Sequence, residues 1–137
     1  MELNRHQIRE LAFQTLFAMN TNKQTDRQDF FNVLTRGKYG EQEPEYLNQL
    51  IDGVTNNKSV IDSMISKYLV SGWSIERIAK TDLIILEIAI YEMKFVDDLP
   101  LKVSINEALE LTKKFSDDKS RKFVNGILSH VLEELVK

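Results

Sequence analysis

Residues 81–95, TDLIILEIAIYEMKF, decide the fold of this chain. Apolar residues surround nearly the whole circumference of a helix built on this stretch, which is typical of a helix that is buried on all sides. A strand is the alternative, because many of the residues are β-branched, but the length of the stretch and its two glutamates, Glu87 and Glu92, favour a helix. The sequence therefore predicts a central buried helix with Glu87 and Glu92 on its narrow, solvated polar strip.

Helical periodicity continues on both sides of this stretch. Apolar residues recur every three or four positions, and helix breakers are few, with 5 Gly and 2 Pro in 137 residues. Predicted helices cover about residues 4–19, 26–35, 44–54, 60–69, 81–95, 104–115 and 120–136. The prediction is a single all-α domain over residues 1–137, with about seven helices in two packed helical subdomains, 1–71 and 72–137, divided at Ser71-Gly72.

Three local signals refine these helices. Asn4 with Gln7, and Ser104 with Glu107, have the spacing of capping boxes, so each pair predicts a helix start. Gly126 lies inside the last predicted helix, where glycine costs up to about 1 kcal/mol relative to alanine. A close approach between two helices at Gly126 would explain its presence.

The composition excludes several classes of site. The chain has no cysteine, and its two histidines, His6 and His130, lie at opposite ends of the sequence. Cysteine-ligated zinc, thiolate catalysis and iron–sulfur clusters are therefore excluded. Glycine-rich phosphate loops and nucleophile elbows are also missing from the sequence. We expect no metal, no cofactor and no catalytic activity, and the lack of a long apolar segment predicts a cytoplasmic protein without membrane contact.

Charge is unevenly distributed along the chain. The net charge is −3, from 18 Lys and Arg against 21 Asp and Glu, but residues 113–122 carry five cations and two acids. A second basic group, Arg5, His6 and Arg9, opens the first helix. An anionic ligand therefore has two candidate binding places, although charge-dense segments are more often simply solvated.

Aromatic residues accompany both basic groups. Lys119, Lys122 and Phe123 are spaced to combine phosphate-binding cations with a ring that can stack on an unpaired base, as single-stranded RNA sites do. Alternatively, Phe123 lies in the hydrophobic core and does not stack on a base. Phe13 and Phe17 flank the apolar stripe of the first helix, where they either complete the core or leave an apolar patch for a partner.

The chain resembles the NusB family of bacterial transcription antitermination factors. The similarity is strongest in the second half of the chain and extends to the first helix. The matching stretches are 9–17 (RELAFQTLF), Trp73, 85–93 (ILEIAIYEM), Pro100, 103–108 (VSINEA), Leu111, 113–115 (KKF) and 122–128 (KFVNGIL).

The resemblance implies an RNA-binding adaptor that pairs with NusE, a small-subunit ribosomal protein. The pair would bind the boxA element of ribosomal RNA leader transcripts and help to load an RNA polymerase antitermination complex. RNA-binding residues implied by the resemblance are Arg5, His6, Arg9, Lys119, Arg121, Lys122 and Phe123. Residues implied to face NusE are Phe17 and Asp82.

Two positions depart from the family pattern. The first helix of the family is often opened by a run of arginines, whereas this chain has only Arg5 and Arg9 there, so phosphate binding should be weaker. Glu87 stands where the family commonly has arginine, so any contact made by that arginine is lost or reversed.

Two other functions remain open from the sequence. The chain could be a detached RNA-binding domain related to the N-terminal helical domain of ribosomal RNA cytosine methyltransferases, or a protein-only module that forms a homodimer through Phe13 and Phe17. The leading hypothesis requires that helix packing bring the basic group at Arg5–Arg9 next to the one at Lys119–Lys122.

Overall fold

The computed structural model describes residues 3–40 and 42–136, and this part of the chain is helical without strands. Its helices are α1 (Arg5–Thr21), α2 (Arg27–Thr35), α3 (Glu45–Asn56), α4 (Lys58–Lys67), α5 (Lys80–Phe95), α6 (Leu101–Phe115) and α7 (Asp118–Val136). A short 3-10 turn, Ile75–Arg77, lies between α4 and α5. The prediction of an all-α fold with about seven helices is confirmed.

The chain forms two compact units, Met1–Gly53 and Val54–Lys137. The division falls inside α3 rather than at Ser71-Gly72, where the sequence suggested it. The reason is that α4 packs against α5, with Ile61, Met64 and Ile65 buried, so that α4 belongs to the second unit.

Helix α5 forms the core of the second unit. It packs against α4, α6 and α7, and every residue from Asp82 to Met93 is buried. Three neighbouring helices leave it no solvated face, which is why its apolar residues are not confined to one stripe. The prediction of a central buried helix is confirmed.

The first unit is built around α1 and α2, which pack against each other. Helix α1 begins with the predicted capping box: Asn4 Oδ1 accepts from the Gln7 N–H (2.8 Å), and Gln7 Oε1 accepts from the Asn4 N–H (2.9 Å). These two bonds satisfy amide groups that have no partner within the helix. The predicted start of α1 is therefore confirmed.

The capping box predicted at Ser104 and Glu107 is wrong. Helix α6 begins at Leu101, directly after Pro100, so that Ser104 lies within the helix and is buried. Pro100 has extended backbone and its carbonyl accepts from the Val103 N–H (3.0 Å), which closes the first turn four residues earlier than the predicted N-cap at Ser104. Proline suits this place, because a residue at a helix start has no need of an amide donor.

The explanation offered for Gly126 is also wrong. Gly126 is exposed, and a Cβ atom added there would meet nothing within 4 Å, so no helix approaches it closely. Its missing side chain instead leaves open space beside α7.

Candidate nucleic-acid interface

The first two turns of α7 carry an exposed basic cluster, Lys119, Arg121 and Lys122. Asp117 supports the start of this helix, because its Oδ1 accepts from the Ser120 N–H (2.8 Å). None of the three cations makes an ion pair or a side-chain hydrogen bond with another residue in the described part of the chain. Their charge is therefore available to a ligand.

Phe123 follows this basic cluster and is partly exposed. Together with Lys119 and Lys122 it lines a cavity of about 630 Å³ within the second unit. Trp73, which is 50% exposed and is the only tryptophan of the chain, lines the same cavity, as does Gly126. Phe123 is thus neither a pure core residue nor a fully exposed ring.

A second, smaller hollow also borders the basic cluster. It has a volume of about 410 Å³ and is lined by Leu109, Asp118, Arg121, Lys122 and Asn125. Lys122 lines both hollows, whereas Arg121 lines only this one among the cavities described.

Asp82, implied by the resemblance to face NusE, lies on the wall of the larger cavity and is only 7% exposed. Its Oδ2 accepts from Ser120 Oγ (2.8 Å), and its Oδ1 accepts from Ser116 Oγ (3.4 Å). Asp82 therefore ties α5 to the start of α7.

The basic residues of α1 differ in exposure. Arg5 is exposed, with its guanidinium 4.2 Å from the centre of the Tyr46 ring. His6 is exposed too, with Nε2 3.3 Å from Glu10 Oε2. Arg9 is only 4% exposed, because it lies on the buried face of α1 with Ala12 and Phe13. The structure therefore presents Arg5 and His6 to solvent and buries Arg9.

The two phenylalanines of α1 also divide between core and surface. Phe13 is buried and completes the core, whereas Phe17 is half-buried. Their ring centroids lie 6.1 Å apart. Only Phe17 can contribute to an exposed apolar patch.

The solvated polar strip predicted on α5 is wrong, since Glu87 is 2% exposed and Glu92 is 1% exposed. Glu87 Oε2 accepts from Lys58 Nζ (2.9 Å), and Lys58 Nζ also lies 3.3 Å from Asp62 Oδ2. Burial, together with a hydrogen bond that protonated Glu87 donates to the Asp62 carboxylate, raises the pKa of Glu87 to about 8, although Lys58 opposes the shift. The signal that sequence reasoning missed is the spacing of Lys58 and Asp62, which puts both on one face of α4.

No group of three or more histidine, aspartate and glutamate side chains within residues 3–40 and 42–136 could hold a metal ion. Among the same residues, no helix combines the length and apolar character needed to cross a bilayer.

Comparison with known proteins assigns the chain to a family. The NusB family model matches residues 6–133. Transcription antitermination protein NusB of Limosilactobacillus fermentum is 50% identical over 131 residues, which cover 96% of this chain and 94% of that protein. NusB of Lactiplantibacillus plantarum is 50% identical over 135 residues, which cover 97% of each protein.

Solved structures agree with this assignment. The structure of T. maritima NusB has a TM-score of 0.81 and 33% identity, covering 98% of this chain and 94% of that chain. A structure of the antitermination factors NusB and NusE in complex with dsRNA has a TM-score of 0.79 and 26% identity, covering 95% of this chain and 96% of that chain. The chain therefore belongs to the NusB family of transcription antitermination proteins, and it is not an enzyme.

Proposed function

We propose that this protein pairs with NusE, binds boxA RNA of ribosomal RNA leader transcripts, and acts within an RNA polymerase antitermination complex in the cytoplasm. The observation that carries the proposal is the exposed basic cluster of α7 beside the partly exposed ring of Phe123. The solved complex of a related NusB with NusE and dsRNA supports pairing with NusE and binding of RNA.

The α7 residues supply the main RNA contacts in this proposal. Lys119, Arg121 and Lys122 bind phosphates, and Phe123 stacks on an unpaired base. Cations without protein partners suit this role, because RNA phosphates then need not displace an existing ion pair.

Helix α1 supplies a second group of contacts. Arg5 and His6 bind phosphates directly, since both side chains are exposed. Arg9 contributes by holding the first turns of α1 in position, because its side chain is buried. The proposal includes the hypothesis that the basic residues of α1 and those of α7 contact the same RNA molecule.

NusE binds a surface that includes Phe17 and Asp82 in this proposal. Phe17 offers a half-buried ring on α1. Asp82 acts mainly by fixing Ser116 at the end of α6 and Ser120 in the first turn of α7, since its carboxylate already accepts from both hydroxyls.

Fluorescence anisotropy of a labelled single-stranded boxA oligonucleotide tests the function. We expect weak binding to this protein alone, clearly tighter binding when NusE is added, and affinity that falls as salt is raised. A scrambled oligonucleotide of the same length controls for charge alone. Equal affinity with and without NusE, or equal affinity for the scrambled RNA, would contradict the proposal.

A further inference from the structure

The larger cavity of the second unit has the dimensions of a ligand site. Its volume of about 630 Å³ lies within the range of about 300–1,000 Å³ that is usual for small-molecule sites. Its wall includes Trp73, Ile78, Phe123 and Ile127, with Gly126 leaving open space at the side of α7. The cavity can therefore admit a flat, apolar group the size of a nucleobase.

Two aromatic residues of this cavity, Trp73 and Phe123, have no ring partner of their own. Tyr68 and His130, which line the same cavity, stack on each other, and Tyr91 stacks on Phe95 elsewhere in the second unit. Trp73 and Phe123 make no ring contact with any described residue, although Trp73 is half exposed. An exposed indole without a stacking partner is a surface on which an unpaired base gains stacking energy.

Charge around the cavity favours an anionic ligand. Arg77, Lys119 and Lys122 line it and have no side-chain partner within the described part of the chain. The two acids of the lining, Asp82 and Asp117, already accept hydrogen bonds from Ser120. The lining therefore holds three cations against two carboxylates, and this excess of positive charge suits the phosphates on either side of an inserted base.

We propose that this cavity is a pocket for one unpaired RNA base, which lies against Trp73 and Phe123 while Arg77, Lys119 and Lys122 hold the adjacent phosphates. The inference rests on the proposed RNA-binding function and extends it to Trp73, Arg77 and Gly126. A protein segment is the competing occupant, and the experiment below distinguishes the two.

Trp73 reports on the pocket directly, because it is the only tryptophan. We expect boxA RNA to quench Trp73 emission with the same midpoint as binding measured by anisotropy. An oligonucleotide with the same phosphates but without bases should bind through the cations and leave the emission unchanged. Binding of boxA RNA without quenching would overturn the pocket and leave the proposed function standing.

Two further outcomes are decisive. Absence of boxA binding in the anisotropy measurement, with and without NusE, would overturn both the function and the pocket. If NusE alone alters Trp73 emission and RNA then adds no quenching, the cavity holds a protein segment and the pocket proposal fails.

A cavity-filling variant tests the same inference without removing a ring. Gly126→Leu adds a side chain into open space on a helix, so the fold should be retained. We expect about tenfold weaker binding of boxA RNA, which corresponds to about 1.4 kcal/mol, and unchanged binding of the oligonucleotide without bases. Ser129→Leu, at an exposed α7 position outside the cavity, is the matched control and should bind as the parent protein does. Equal affinity of the Gly126→Leu variant and the parent for boxA RNA would count against the pocket.

Discussion

At the scale of single residues, Glu87 shows how burial changes the chemistry of a carboxyl group. Its side chain lies in the core of the second unit, next to Asp62 and Lys58, and its pKa is raised from the ordinary 4.5 to about 8. A raised pKa means that folding favours the protonated form. Stability from this group is therefore complete below about pH 4.5 and is lost as the pH rises through about 8.

We expect Glu87→Gln to weaken the dependence of folding stability on pH. Glutamine keeps the shape of the protonated side chain without its titration, so the variant should gain stability over the parent as the pH rises from about 4.5 to 8. Urea unfolding across this pH range provides the measurement. Glu110→Gln, at an exposed position of α6, controls for the loss of one negative charge. Parallel pH profiles of the parent and the Glu87→Gln variant would contradict the assignment.

Arg9 and Arg5 provide a second prediction at this scale. Arg9→Ala removes a buried side chain and should cost about 2 kcal/mol of unfolding free energy, because its packing in α1 is lost. Arg5→Ala removes an exposed cation above Tyr46 and should cost less than about 1 kcal/mol. Guanidinium unfolding of both variants compares the two costs. A larger loss for Arg5→Ala would contradict the burial of Arg9 in α1.

At the scale of elements, α7 carries basic residues in its first two turns and, further along, Gly126 with open space beside it. Gly126→Ala should stabilise this helix by up to about 1 kcal/mol, because alanine favours the helix and the new methyl group meets nothing within 4 Å. Gly72→Ala is the matched control. Gly72 has a φ of +89°, which alanine adopts only with strain, so this variant should be destabilised. Thermal unfolding measures both, and a lower melting temperature for Gly126→Ala would show that its surroundings are crowded.

At the scale of the whole molecule, each compact unit carries exposed cations that the proposed function assigns to RNA phosphates. Arg5 lies in the first unit and Lys122 in the second. If both bind phosphates of one RNA, Arg5→Ala and Lys122→Ala should each reduce the salt slope of binding by about 0.7, and the double variant should lose both contributions. Anisotropy at a series of salt concentrations measures the slopes. A normal slope for Arg5→Ala would show that Arg5 makes no phosphate contact.

Local sequence patterns determined much of this protein. The helix periodicity, the capping box at Asn4 and the apolar circumference of residues 81–95 depend on neighbours within a few positions, so they could be interpreted without any knowledge of packing. The exposed cluster at Lys119, Arg121 and Lys122 was equally predictable, because charged side chains at a helix start are usually solvated.

Only the tertiary structure decided which polar residues are buried and where space remains. Arg9 and Glu87 are buried because their helices pack against other helices on the faces that carry these two side chains. Lys58 and Asp62 contact Glu87 from α4, a helix distant in sequence. Gly126 borders a cavity because no helix covers it, and Trp73 lines that cavity from a different segment. Burial and cavities arise from contacts between segments far apart along the chain, whereas periodicity and capping arise from contacts within one segment, which is why the sequence alone could predict only the latter.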